Sequence, residues 1–229
     1  MVESATVERI LDAAQQLFAE KGFTETSLRL ITAKAGVNLA AVNYHFGSKD
    51  ALIQAVFVRF LGPFCQRLED ELESREGKPA TLEELLELLV ALALEVSQGS
   101  SNLRVFMRLL GMAVREHQRH LRSYLAGLYG KVFRRYLQLL QDALPGVPPL
   151  ELFWRVHFML GAATFSMAGI EGLREVVARD FDVDASAEQV LSLLVPFMAA
   201  GMRADSALTD PALIAARPRR NGKANNHGK

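Results

Sequence analysis

Residues 27–49 read SLRLITAKAGVNLAAVNYHFGSK, and the architecture of the chain follows from them. Two apolar-periodic pieces, Leu28–Ala35 and Leu39–Phe46, are separated only by Gly36-Val37-Asn38. Leu28, Ile31, Ala35, Val37 and Val42 supply the apolar positions that hold two short helices crossed at a tight turn. Gly36 follows the first helix, where a left-handed backbone costs glycine little. Asn38 can cap the second helix. This is the layout of a helix-turn-helix, whose second helix enters the DNA major groove; short helical hairpins with glycine turns also occur in protein cores.

The polar residues around the turn favour the first of these readings. Thr26 and Ser27 can set hydroxyls and free backbone N–H groups against a phosphate, and Arg29 adds charge. Ala40 and Ala41 expose little bulk, which permits close approach and contact with thymine methyls. Asn43 can pair bidentately with adenine. Tyr44 and His45 either offer further hydrogen bonds to phosphates and base edges or pack against the next helix. Lys49 opens that helix, where it can clamp the DNA backbone.

On either side of this stretch nearly everything follows helical periodicity and no run alternates convincingly as a strand does, so the fold class is all-α. A first helix carries Val7, Ile10, Leu11, Ala14, Leu17 and Phe18 on one face and stops at Gly22. Ser48 opens a long helix with Gly62-Pro63 inside it, where a kink is expected, and Gly77-Lys78-Pro79 ends it. Thr81 with Glu84 and Ser186 with Gln189 form capping boxes. Residues 98–102 read as a turn, and helices are expected near 103–115, 118–143, 150–170 and 187–204.

The composition excludes several classes. The 229 residues hold 50% hydrophobic and 23% charged side chains, as a soluble globular protein does. Lys+Arg and Asp+Glu balance at 26 each, so global charge gives no signal for nucleic acid. Local charge is uneven: residues 103–135 carry eight bases against Glu116 alone. The single cysteine, Cys65, excludes an internal disulfide framework, fits a reducing cytoplasm and reads as a buried structural thiol. Residues 156–170 and 189–202 are poor in charge but shorter than the roughly 18–20 residues of a membrane span. They read as buried helices, and no membrane partner is expected. Glu3 and Glu8 stand where a signal peptide would be cationic and then apolar.

Enzyme motifs fail in turn. There is no G-x-S-x-G, no dinucleotide or phosphate-cradling glycine loop and no H-E-x-x-H, so neither a catalytic residue nor a cofactor is expected. His117 and His120 could share a metal, but Arg115, Arg119 and Arg122 oppose a cation there, and no metal site is expected.

Residues 10–52, ILDAAQQLFAEKGFTETSLRLITAKAGVNLAAVNYHFGSKDAL, closely resemble the DNA-binding domain of TetR-family transcriptional regulators. The resemblance rests on the helix-turn-helix, the Tyr44-His45-Phe46 ending and the Ser48-Lys49 start of the next helix. It implies an N-terminal three-helix DNA-binding domain, a linking fourth helix, and a larger domain that dimerises and binds an effector. It sets Thr26 or Ser27 and Lys49 on phosphates, and Leu39, Ala40, Asn43, Tyr44 and His45 along the major groove. Many members have Lys or Arg in place of Leu39 and Tyr in place of Asn43, so one phosphate contact is missing and Asn43 reads more of the base edge.

The segments FGSKDALIQAVFVRFLGPFCQRLE at 46–69, SNLRVFMRLLGMA at 101–113 and PPLELFWRVHFMLGAATFSMAG at 148–169 resemble a fatty-acid-responsive member of the family. That implies a homodimeric repressor of fatty-acid metabolism genes on a palindromic double-stranded operator, released by a long-chain fatty acid or acyl derivative. The expected division is 5–65 for DNA binding, 66–206 for effector binding and dimerisation, and 207–229 as a disordered basic tail. Phe106, Met107, Leu110, Trp154, Phe158 and Phe165 can line an adaptable apolar tunnel, although a Met and Phe stripe is also ordinary core. His157, with Arg108 or Arg155, can meet a carboxylate or be a satisfied buried histidine. The alternatives are a regulator of another pathway with a different apolar effector, a helical lipid-binding module without DNA function, and an all-α enzyme.

Overall fold

The computed structural model describes residues 2–206 except 76, 98, 99 and 117. The expected basic tail, 207–229, and His117 of the histidine pair lie outside the described residues. Ten helices occupy the described chain: α1 Val2–Glu25, α2 Leu28–Ala35, α3 Leu39–Phe46, α4 Lys49–Ser74, α5 Leu82–Ser97, α6 Ser100–Arg115, α7 Arg119–Ala143, α8 Pro149–Ala168, α9 Ile170–Phe181 and α10 Ala187–Arg203.

The helix boundaries follow local chemistry. Both expected capping boxes form: Thr81 with Glu84 before α5, and Ser186 with Gln189 before α10. Gly22 leaves the helical conformation at φ 85°, although α1 resumes for one short turn after it. Pro63 lies inside α4, which continues to Ser74. α6 already begins at Ser100, inside the expected turn at 98–102, of which 98 and 99 lie outside the described residues. The structure adds α9, which the sequence reading lacks. Its twelve residues bury only Ile170, so no broad apolar stripe marks it.

Two cores divide the chain, and α4 feeds both. The first gathers Ile10, Phe18 and Phe23 of α1, Ile31 of α2, Val42 of α3, and Leu52, Val56 and Phe57 of α4. Phe106, Leu109 and Met112 of α6 and Leu121 of α7 complete it from the distal part of the chain. The second gathers Phe64, Leu68 and Leu72 of α4 with buried residues of α5, α7, α8 and α10. Cys65 belongs to this second core; burial, and then the Glu69 charge, push its thiol up to about 12. It is protonated at neutral pH and inert, as expected of a structural cysteine. Tyr136 is raised by burial as well, and its hydroxyl donates to the Leu85 carbonyl.

The helices at 156–170 and 189–202 are only half-buried. Arg155 and Met167 of α8, and Leu191, Leu194, Met198 and Met202 of α10, face inward. On the outer side Phe158 is 68%, Phe165 75%, Leu193 71% and Phe197 69% exposed.

A buried ion pair fixes α8 against the end of α10. Arg155 donates to the Glu151 carboxylate and to the carbonyls of Met202, Ala204 and Asp205, while the Ser206 hydroxyl donates to Glu151. Removing one partner strands a buried charge, at a typical cost of about 3–5 kcal/mol. Arg155→Met is therefore expected to lower the urea unfolding midpoint sharply, and Glu151→Leu added to it should restore much of the loss. A single variant as stable as the parent chain would show that the pair is not desolvated.

Candidate DNA interface and effector cavity

Serial side-chain caps set the geometry of α2, α3 and α4. Ser27 Oγ accepts from the Leu30 N–H, Asn38 Oδ1 from the Ala41 N–H and Ser48 Oγ from the Ala51 N–H. Gly36 adopts φ 63°, ψ 40° between α2 and α3, a region where a side chain is costly. Ile31, Ala35 and Val42 then bury the inner faces.

What remains outside is a small, polar ridge. Arg29, Leu39, Ala40 and Asn43 are exposed, and Ala41 and His45 are half-buried. Tyr44 is 78% exposed with its ring edge-on to His45, so it does not pack against α4. Lys49 Nζ donates to the Thr24 carbonyl, which brings its charge to the α1–α2 corner beside Ser27.

Thr26 is a correction. Its side chain is fully buried, and its hydroxyl donates to the carbonyls of Leu17 and Gly22. It ties the end of α1 together and has no surface for a phosphate. Of the two expected hydroxyls only Ser27 stays at the surface.

That corner is held from a distant part of the chain. The Glu116 carboxylate, just past α6, accepts from the Phe23 N–H at 3.2 Å, the Thr24 N–H at 3.0 Å and the Thr24 hydroxyl at 2.8 Å. A Cβ on Gly22 would stand 2.7 Å from Glu116 Oε1, so the glycine admits this carboxylate. Sequence reasoning singled out Glu116 only as the lone acid of a basic stretch.

A cavity of about 490 Å³ lies between α4, α5, α6, α7, α8 and α10, within the roughly 300–1,000 Å³ usual for ligand sites. Phe106, Met107 and Leu110, three of the residues proposed for an apolar tunnel, line it, with Phe60, Phe64, Leu89 and Met159 among the further walls. Among the described residues, its only polar lining side chains are Gln118 and Arg122. Phe60 stacks on Phe106 with ring centres 3.8 Å apart.

The remaining expected ligand residues lie away from this cavity. Trp154, His157, Phe158 and Phe165 do not line this cavity. Trp154 stacks on Phe158 across the outer face of α8, and the exposed His157 sets its Nδ1 against the Phe153 carbonyl. His157 and Phe165 instead border a separate, more polar cleft of about 860 Å³, together with Lys21, Arg108 and Arg115. Arg155, offered as a carboxylate partner, is committed to Glu151. Periodicity marks α8 as apolar without saying which side meets the cavity. Arg122 escapes sequence reading because only packing brings it to an apolar wall.

Comparison with known proteins agrees with this architecture. Residues 10–56 match the model of bacterial regulatory proteins of the tetR family, and residues 87–201 match that of the tetracyclin repressor-like C-terminal domain. The chain belongs to the TetR family. Its members are DNA-binding transcriptional regulators, for which dimerisation and repression are typical. A fatty acid metabolism regulator protein of Bacillus subtilis is 25% identical over 190 residues, spanning 82% of this chain and 92% of the relative. The fold is similar to that of PfmR from Thermus thermophilus, with a TM-score of 0.56 at 18% identity over 85% and 97% of the two chains. It is also similar to that of FadR from Bacillus subtilis, solved in complex with stearoyl-CoA, with a TM-score of 0.55 at 19% identity over 85% and 98%.

Proposed function

We propose that this TetR-family regulator is a cytoplasmic homodimeric repressor of fatty-acid metabolism genes. It binds a palindromic operator through α3 and releases it when a long-chain fatty acid or acyl derivative fills the cavity. It works by binding alone, with no catalytic step. Residues 5–65 serve DNA and residues 66–206 serve the effector and the dimer.

The wall of the cavity carries this reading. Phe57, Phe106 and Leu121 line it and also belong to the core beneath α2 and α3. An occupant that moves these side chains acts on the DNA-reading unit directly. The apolar lining suits a hydrocarbon chain, and the fatty acid metabolism regulator among the relatives and the stearoyl-CoA complex among similar folds support that choice.

Operator mobility shift with added palmitate, palmitoyl-CoA and butyrate tests it. Each buried methylene contributes about 0.8 kcal/mol, so the long chains should weaken operator binding and butyrate should not. If acyl compounds of every length leave operator affinity unchanged, the fatty-acid assignment falls and a different apolar effector takes its place.

On the DNA side, Asn43→Ala should cost about 1–3 kcal/mol on the operator and leave random DNA unaffected. Lys49→Ala should weaken all sequences and lower the salt slope by about one. Equal losses on operator and random DNA for Asn43→Ala would remove it from base readout.

A further inference from the structure

We propose that the start of α7 is an anion subsite, in which Arg122 and Gln118 hold the negatively charged head group of the effector. This rests on the acyl reading above and adds to it the end of the cavity where the head lies and the charge it must carry.

Gln118 is the N-cap residue of α7 and Arg122 stands four residues on in its first turn, both on the cavity wall. Farther along α7 the cavity wall turns apolar, through Leu125 and Ala126 to Phe133. Polarity is thus confined to one end of an otherwise hydrocarbon wall. A ligand that matches both ends is an amphiphile with a single anionic head at Arg122 and its tail toward Phe133.

Both side chains are available for the task. Arg122 makes no ion pair among the described residues, and Glu116, the nearest acid in sequence, is engaged with Phe23 and Thr24. Gln118 sits at the N-cap of α7 without a side-chain capping bond, so its amide can donate. The guanidinium presents a planar fork that meets a carboxylate or phosphate with two parallel hydrogen bonds. The other candidate cations, Lys21, Arg108 and Arg115, line the polar cleft and not this wall.

Binding of palmitate, palmitoyl-CoA and hexadecanol to the full chain, measured by calorimetry, separates head from tail. The parent chain should prefer an anionic head over the alcohol. Arg122→Met keeps the apolar volume and should weaken the preferred anion about ten- to a hundredfold while leaving hexadecanol unchanged. Arg122→Lys should recover part of the loss. Loss confined to palmitate identifies a carboxylate, and loss confined to palmitoyl-CoA identifies a phosphate-bearing head; either supports the subsite. Helix content by circular dichroism and operator affinity without ligand should match the parent chain. Equal losses for anion and alcohol, no loss for any ligand, or a parent chain indifferent to head charge would overturn the subsite and leave the acyl reading standing. Binding of none of the three would overturn both.

Discussion

A chain carrying Phe165→Glu and Phe197→Glu is expected to run as a monomer at micromolar concentration and to bind palindromic operator DNA at least about a hundredfold more weakly. These two side chains are 75% and 69% exposed on a single chain, with Phe158 and Leu193 similarly open on the same two helices. Large contiguous apolar surface of this kind marks an interface. The inward sides of α8 and α10 are already buried in one core, with Arg155 tying them together, so their outer faces form one rigid surface. Two such surfaces would meet across a two-fold axis as a four-helix bundle. That pairing would set the two α3 helices about 34 Å apart, or a multiple of it, on successive major grooves. Joining two half-site contacts raises affinity by roughly 10²–10⁴ without a new contact, and this gain is what the monomer forfeits. Binding to random DNA at low salt should change much less. Light scattering that still gives a dimer for the double variant, with operator affinity intact, would move the interface elsewhere.

The legible and illegible parts of this chain differ in how local their causes are. The α2–α3 turn follows from neighbours in sequence: Ser27, Gly36, Asn38 and Ser48 act within four residues of themselves. Its expected boundaries, Leu28–Ala35 and Leu39–Phe46, coincide with the helices found. Thr26 defies the reading because a hydroxyl before a helix suits a phosphate as well as a carbonyl: the Gly22 carbonyl four residues back competes for it, and the Leu17 carbonyl it also meets lies nine residues back in α1. On α8 an apolar side chain can face the cavity, the core or a second copy, and helical spacing is the same for all three. Hence Phe106, Met107 and Leu110 of α6 fall on the cavity, while Trp154, Phe158 and Phe165 of α8 fall on the outside. Glu116 carries no pattern at all, since its partners Phe23 and Thr24 lie far back in the chain, and Arg122 meets the cavity wall only through packing.

Glu116→Ala is expected to leave the regulator able to bind its operator but largely deaf to its effector. An effector shifts a conformational equilibrium only as far as it binds the two states differently, so some contact must carry that difference to the DNA-reading helices. Two routes leave the cavity here. One is a chain of rings, in which Phe60 stacks on Phe106, Phe106 meets Phe57 and Phe57 meets Phe23. The other is polar: α6 lines the cavity through Met107 and Leu110, and just past its end Glu116 grips Phe23 and Thr24 at the corner before α2. Both routes end on Phe23, and only the polar one can be cut without opening a hole in a core. Three hydrogen bonds to a carboxylate at a partly exposed corner should contribute about 1–3 kcal/mol to stability, so Glu116→Ala should fold with a lowered midpoint. Amide exchange at Phe23 and Thr24 should quicken. The ratio of operator affinities without and with palmitate should fall toward one. Gly22→Ala attacks the same contact from the α1 side, because its Cβ would strike Glu116 Oε1 and its φ of 85° strains any side chain. It should therefore reproduce the loss of response with the carboxylate still present. If both variants keep the full effector response while their amides exchange faster, the clasp only stabilises the corner, and the ring path alone transmits the signal.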